Sequence, residues 1–304
     1  MTVTQQVLAE RFETERPRLL GIAYRLTGSM ADAEDAVQES WLRLSTVDEH
    51  GIESLPAWLT TVVGRLCLDR LRSAAVRRER YVGPWLPEPV VTDMTGTGEN
   101  PLDVVVREDG VRMAAMVVLD ELTPEQRVAF VLHDAFAVPF DQIAATLNCE
   151  VSTARQYASR GRRAVADADP PDRAPMPEQL AVIEQFVTAL TTGDLESVVR
   201  LLHPEAVLVG DSDGKARTTR RMLVGAEKIG RFFFGLAERY GAQRLTGGQV
   251  VRINGDLGVF LPGSLGEDGR WDLDRRVITF AIRDGQVVAI YDIVNPDKLT
   301  RVPE

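Results

Sequence analysis

TPEQRVAFVLHDAFAVPFDQIAATLNCEVSTARQYASRGRRAV, residues Thr123 to Val165, decides how the rest of the chain is read. Thr123 is placed to cap a helix, Pro124 suits its first turn, and Gln126 follows at the spacing of a capping box. Val128, Val131, Leu132, Ala135 and Phe136 then recur at helical spacing and give one apolar stripe, which Pro139 ends. A short second helix runs through Ile143, Ala144 and Leu147 to Asn148, a residue that tolerates left-handed dihedrals. Ser152 or Thr153 is the expected cap of a third helix. On that helix Val151, Ala154 and Ala158 face inward, while Thr153, Arg155, Gln156, Ser159, Arg160 and Arg163 occupy the other face. Between Glu150 and Arg163 four arginines stand against one glutamate, so a local charge of +3 sits on a chain of net charge -10. Arginine pairs bidentately with guanine and glutamine with adenine in the major groove, and hydroxyls and further arginines hold phosphates. Cap, turn and polarity together predict a helix-turn-helix that reads duplex DNA. The plainer alternative is a helical hairpin with a solvated basic face.

At 304 residues the chain has room for two or three domains, and 44% hydrophobic content supplies packed cores for them. Cys67 and Cys149 make neither a metal-ligand spacing nor a disulfide framework, so no metal is expected and a reducing cytoplasm fits. No cofactor is expected either. Glu10, Arg11, Glu13, Glu15 and Arg16 interrupt the N-terminal apolar residues, and no run approaches the length of a membrane span. A cytoplasmic protein without a membrane partner is the expectation. The acidic total argues against indiscriminate coating of nucleic acid, which is driven by phosphate neutralisation, so DNA contact must come from patches.

Upstream, Leu19, Leu20, Ile22, Ala23 and Leu26 form a helical face that ends at Gly28. Asp32 opens a second helix through Ala36, Val37, Ser40, Trp41 and Leu44. Its opposite side is acidic and polar, with Asp32, Glu34, Asp35, Gln38 and Glu39, then Arg43. After a polar loop from Ser45 to Ser54, Pro56 starts a longer helix with Leu59, Val62, Val63 and Leu66 inward. From Arg65 to Arg80 six arginines face two acids, a local +4.

The order of these parts resembles a known family. The run Asp32-Ala-Glu-Asp-Ala-Val-Gln-Glu-Ser-Trp-Leu-Arg-Leu and the helix from Pro56 through Arg72 resemble region 2 of the extracytoplasmic-function (ECF) sigma factors of bacterial RNA polymerase. The helix-turn-helix resembles region 4. The likeness covers nearly all of the first 167 residues, in the expected order.

Between these parts Pro84, Pro87, Pro89 and Pro101 with Gly83, Gly96 and Gly98 break the helical pattern and mark a linker. Within it Trp85-Leu86-Pro87-Glu88-Pro89 either packs on the nearest domain or is a docking peptide. A second boundary falls at Asp169 to Pro177, where four prolines prevent a continuing helix. Beyond it come helices through Leu180–Leu190, Leu195–Leu202 and Ala226–Tyr240. Strand-like segments follow at Gln249–Ile253, Leu257–Leu261, Arg276–Arg283 and Gln286–Val294, with Asp284-Gly285 as a hairpin turn. Helices followed by a curled antiparallel sheet make an α+β tail, which resembles the SnoaL-like branch of the NTF2-like cone fold. A sigma factor with such a tail, Trp85-Leu86-Pro87 in its linker and Asn295-Pro296-Asp297-Lys298-Leu299 near its end resembles the ECF41 group. The group's Asp-Gly-Gly-Gly-Arg motif is represented by Asp211-Ser212-Asp213-Gly214-Lys215.

The expected chain is therefore multi-domain: two all-α sigma domains followed by an α+β SnoaL-like cone domain. The expected boundaries are region 2 over 1–81, a linker over 82–107, region 4 over 108–167, a Pro-rich linker over 168–177 and the tail over 178–304. The resemblance implies RNA polymerase core as partner. It places Asp35, Gln38, Glu39 and Arg43 against the β′ clamp helices, with the β subunit also in contact. It implies that a melted minus-ten element is met by the Ser45–Ser54 loop, with His50 among its polar groups, and by Trp58, Thr61, Arg65, Arg70 and Arg72. Trp58 reads equally well as core. The minus-thirty-five element falls to Thr153, Arg155, Gln156, Ser159, Arg160 and Arg163. His133 reads as structural. In the tail, His203, Asp211 and Asp213 lack a partner at catalytic spacing, so no catalytic residue is expected. Docking of the tail on the linker through Trp85, Leu86, Pro87, Asp211, Lys215 and Asn295 to Leu299 would control activity in cis, with a small-molecule ligand in the tail's pocket shifting it. Two rivals use fewer parts: a ligand-sensing helix-turn-helix repressor, and a cyclase or isomerase built on the tail. Neither explains the acidic helix or the basic run before Tyr81.

Overall fold

The computed structural model describes residues 3–47, 51–92, 111–265 and 271–302. They divide into two compact units, one built on Met1–Glu79 and Ala115–Pro170, the other on Arg80–Thr97, Arg112–Ala114 and Pro171–Glu304.

The first unit is helical. α1 (Val3–Thr27), α2 (Met30–Leu44) and α3 (Leu55–Arg78) pack around Leu19, Ile22, Leu26, Leu44 and Leu59, all fully buried. Gly28 takes a positive φ of 69° that ends α1, and Ser29 caps α2 by accepting from the Asp32 amide at 3.3 Å. α4 (Met113–Asp120) precedes α5 (Pro124–Phe130). The reciprocal Thr123–Gln126 capping box expected from the sequence is present at the start of α5. The apolar stripe continues past α5 through one π turn, Val131–Ala135. α6 (Phe140–Leu147) ends at Asn148, which is left-handed with φ 52° as its residue type allows.

α7 (Val151–Ala168) is capped differently from the expectation. Glu150, not Ser152 or Thr153, holds the N-cap position, because the chain leaving the Asn148 turn is already extended there (φ -69°, ψ 150°) and the helix begins at the next residue. Ala154, Ala158 and Gly161 are its buried residues. A Cβ on Gly161 would meet Phe130 Cβ at 2.8 Å, so the absence of a side chain is what lets α7 lie on α5.

The second unit is the α+β tail. α8 (Met176–Thr192), α9 (Leu195–Leu201) and α10 (Ala226–Tyr240), with the short α11 (Ala242–Thr246), accompany a seven-stranded sheet. Its strands are β1 (Val91–Thr92), β2 (Leu202–Asp211), β3 (Leu223–Val224), β4 (Gln249–Ile253), β5 (Asp256–Leu261), β8 (Arg276–Arg283) and β9 (Gln286–Ile293), in the order β1-β4-β5-β8-β9-β2-β3. β6 (Ser264–Leu265) and β7 (Trp271–Leu273) pair separately. The core lies between helices and sheet, where Phe186 stands edge-on to Phe233 at 5.2 Å and to Phe280 at 5.7 Å. Asp284 and Gly285 both take positive φ, as the hairpin turn between β8 and β9 requires.

The sheet differs from the expected antiparallel one in two ways. It is mixed, since β2 runs parallel to β9. Its edge strand β1 comes from the Pro-rich segment after Pro89 and pairs antiparallel with β4. A parallel partner far along the chain leaves no turn signal in the sequence, and a two-residue strand leaves no periodicity.

Candidate functional site

The exposed face of α7 is polar and basic. Arg155, Gln156, Ser159, Arg160 and Arg163 are exposed and Thr153 is half-buried, so this helix presents the six predicted residues on or near one surface. The Arg155 guanidinium lies 5.6 Å from the ring centroid of Phe140, the first residue of α6, a cation–π contact. Arg163 is 84% exposed and only loosely paired with Asp167 at 3.7 Å, leaving its charge to solvent or phosphate.

The α2 face presents Asp35 and Gln38 exposed, with Glu39 half-buried and bonded to exposed Arg43 at 2.6 Å. Next to it the Phe12 and Trp41 rings meet at 5.1 Å, tilted by 48°, along a groove between α1 and α2 that Gln38 also lines. The predicted strand-capturing groups lie on α3. Trp58 and Thr61 are half-buried, and the Thr61 hydroxyl donates to Ala57 O at 3.1 Å. Arg70 faces Asp32 at 3.8 Å and Glu39 at 3.9 Å. Arg65 donates to Ala145 O at 2.7 Å, and Arg72 makes two bonds to Glu125, at 2.8 and 3.2 Å. Gln142 donates to Ala57 O at 2.6 Å, and a Cβ on Gly64 would meet the Thr146 methyl at 2.8 Å. Two of the predicted minus-ten arginines are therefore held by α5 and α6. His50, with Asp48 and Glu49, lies outside the described residues.

The third cluster is in the tail unit, where the Trp85 segment meets the end of β2. Asp211 is fully buried. Its carboxylate accepts from the Tyr81 hydroxyl, from the Leu86 amide at 2.6 Å and from Lys298 Nζ at 2.5 Å. A carboxylate in low dielectric needs such partners, and here three donors satisfy it. Lys298 also donates to Leu86 O and sits 4.1 Å over the Trp85 ring. Leu86, Pro87, Glu88 and Pro89 are buried and Trp85 is half-buried. Asn295 donates to the Tyr81 hydroxyl at 2.7 Å and caps the turn Pro296–Lys298, after which Leu299 is buried. Lys215 joins Asp213 at 2.9 Å and Asp297 at 2.5 Å, while Asp213 accepts from the Val82 amide at 3.2 Å.

These contacts set the electrostatics. Burial, followed by the bond to Asp211, pushes the Tyr81 phenol above its ordinary value. Lys215 holds Asp213 below the usual carboxylate range, and the two carboxylates Asp297 and Asp213 raise Lys215 in turn. Asp211 is consumed by docking, and His203 accepts the Glu205 amide at 3.2 Å, so neither is arranged as an acid or base toward a substrate. Among the described residues no cluster of metal-ligating side chains occurs, and no helix is long and apolar enough to cross a membrane.

Sequence reasoning missed Tyr81 and Asn254. Asn254 is fully buried, and its side chain accepts the Val90 amide at 3.0 Å while its own amide donates to Val90 O at 2.9 Å, which fixes β1 on the sheet edge. An Asn-Gly pair between two apolar runs was the available signal for that turn.

Residues 11–77 match the family model Sigma-70 region 2, and residues 112–165 match Sigma-70, region 4. The chain is 50% identical over 294 residues to the ECF RNA polymerase sigma factor SigJ of Mycobacterium tuberculosis, covering 96% of this chain and 93% of that protein. It is 33% identical over 223 residues to the probable ECF RNA polymerase sigma factor SigI of the same species, covering 72% and 73% of the two chains. The crystal structure of the Mycobacterium tuberculosis extracytoplasmic function sigma factor SigJ superposes with a TM-score of 0.81 at 47% identity, over 96% of this chain and 98% of that one.

Proposed function

The chain belongs to the extracytoplasmic-function RNA polymerase sigma factors, and from that premise we propose how its surfaces divide the work of initiation. As a member of this family it is a promoter-recognising transcription initiation factor that binds RNA polymerase core and promoter DNA in the cytoplasm. Residues 1–81 act as region 2. Asp35, Gln38, Glu39 and Arg43 meet the β′ clamp helices; the exposed acidic character of that face supports the reading. Trp58, Thr61, Arg65, Arg70 and Arg72, with the loop carrying His50, take the melted minus-ten strand, where phosphate contacts and base capture offset the cost of unstacking.

Residues 108–167 act as region 4, and Thr153, Arg155, Gln156, Ser159, Arg160 and Arg163 read the minus-thirty-five element. The helix caps, the turn and the exposed basic face support this. In the free protein Arg65 and Arg72 are occupied by Ala145 and Glu125, so promoter engagement exchanges those contacts for phosphates.

Residues 178–304, after the linkers 82–107 and 168–177, control activity in cis by holding the Trp85 segment. The observation that carries this reading is Asp211, a buried carboxylate whose donors come from Tyr81, Leu86 and Lys298. A small ligand in the tail would act only by binding the docked and released arrangements unequally.

Run-off transcription with purified core polymerase and genomic promoter fragments tests the assignment. Discrete transcripts that appear only when this protein is added are expected. DNA binding to a duplex operator without polymerase, and no transcripts, would replace it by the repressor reading.

A further inference from the structure

The ring of Phe140, half-buried at the start of α6, touches both of the elements that flank α6 in sequence. His133, in the π turn Val131–Ala135, stacks on it with centroids 4.0 Å apart and planes 30° from parallel. Arg155, in the second turn of α7, places its guanidinium 5.6 Å from the centroid of the same ring, within the range at which a cation is drawn to an aromatic face. The imidazole is pinned in turn: a carbonyl oxygen only accepts, so the Nδ1 of His133 donates to Val138 O at 3.1 Å. A second tie joins the π turn to α7, from Arg162 Nε to Asp134 at 2.7 Å. Ala137 is left-handed with φ 52°, a conformation that costs free energy in a residue with a Cβ and persists where the surrounding contacts impose it. Its amide donates to His133 O at 3.0 Å and the Val138 amide to Leu132 O at 2.9 Å, so the strained link is bonded back to the turn that carries the imidazole.

An arginine that reads a base must present its planar fork in one orientation, and an unrestrained side chain gives up rotamer freedom to do so. A guanidinium already resting on a braced ring gives up less. Arg155 also lies near the N-terminus of α7, where the base contacts of a recognition helix concentrate, whereas Arg160 and Arg163 lie more than a turn further along.

We propose that Phe140, braced by His133, is a positioning residue for promoter recognition: it holds the Arg155 fork ready to meet a guanine edge in the upstream element. The inference rests on region 4 reading that element. A ring that only packed would support α7 as a whole and so every contact that helix makes with DNA. A ring that acts through Arg155 alters the preference at one base pair.

The test is run-off transcription by the full-length protein with core polymerase, on a fragment from which the wild type initiates, each base pair of its upstream element being substituted in turn. Arg155→Gln is expected to lose about tenfold of the preference at one G·C pair. Phe140→Leu is expected to lose roughly threefold or more at that same pair, with the other positions unchanged within about twofold. His133→Gln, which keeps a donor for Val138 O and removes the stacked ring, should move the same position in the same direction, and Phe140→Tyr, which keeps the ring, should retain the wild-type profile. In an Arg155→Gln background Phe140→Leu should add nothing. A loss spread alike over all positions, or the full loss added on top of Arg155→Gln, overturns the proposal and leaves the ring a packing role. If Phe140→Leu does not fold, the His133→Gln profile decides by the same two criteria. A wild type indifferent to every substitution refutes region 4 as the reader and the proposal with it, whereas a wild-type preference that both variants leave intact refutes the positioning alone.

Discussion

Asp211 shows what one residue contributes when burial and charge coincide. It gathers the Tyr81 phenol, the Leu86 amide and the Lys298 ammonium around one carboxylate. The consequence at Tyr81 can be measured. Its folded pKa is raised above the ordinary 10.0, so its contribution is complete below that pH and is lost as pH rises through the folded value. In an alkaline titration the phenolate absorbance of the wild type should show one tyrosine ionising later than 10, and Tyr81→Phe should lack it. A phenol ionising at its ordinary pH in the difference between the two would contradict the docking geometry. The motif residues around Asp211, Lys215 and Asn295 were legible because the family resemblance pointed to them. Tyr81 and Asn254 were not, since a lone tyrosine beside a proline-rich segment and a turn asparagine are each common for local reasons.

Among the elements, α3 and α6 approach closely enough that Gly64 has no room for a Cβ beside Thr146; Arg65, the next residue, bonds to Ala145 O of α6, and Arg72, two turns further along α3, bonds to Glu125 of α5. Gly64→Leu raises helix propensity, so the helix itself is not weakened, and forces the two helices apart. It is expected to release both arginines and to raise affinity for a mixed-sequence single-stranded oligonucleotide at least threefold, measured by fluorescence anisotropy. Unchanged affinity at unchanged helical content would mean that these contacts do not restrain the strand-binding groups. Helix existence was legible at this scale because the 3.6-residue stripe and the Thr123 capping box are local signals. The parallel pairing of β2 with β9 and the edge strand at Val91 were not, because both are settled by partners distant in sequence. The start of α7 moved from Ser152 or Thr153 to Glu150 for a local reason, the extended exit from the Asn148 turn.

For the whole molecule, a net charge of -10 makes indiscriminate phosphate binding unfavourable, so the proposed reading gives phosphate contact to local basic patches on α7 and α3 and polymerase contact to the acidic face of α2. The two helical sigma regions and the α+β tail were legible in the sequence, because the order of parts resembles that family. What the sequence left open was whether the Trp85 segment packs on the nearest domain or is a docking peptide; it belongs to the tail unit, held by Asp211, Lys298 and Asn254. Preorganising a linker in this way removes an entropic cost from the step that needs both DNA-reading regions in place. The most direct test compares wild type and Asp211→Asn in run-off transcription on the same promoter fragment, with amide exchange at Leu86 and Val90 followed in parallel. Faster exchange at both amides, with a yield at least fivefold lower from the same start site, is the predicted result. Faster exchange with an unchanged yield would contradict control of initiation by the docked linker.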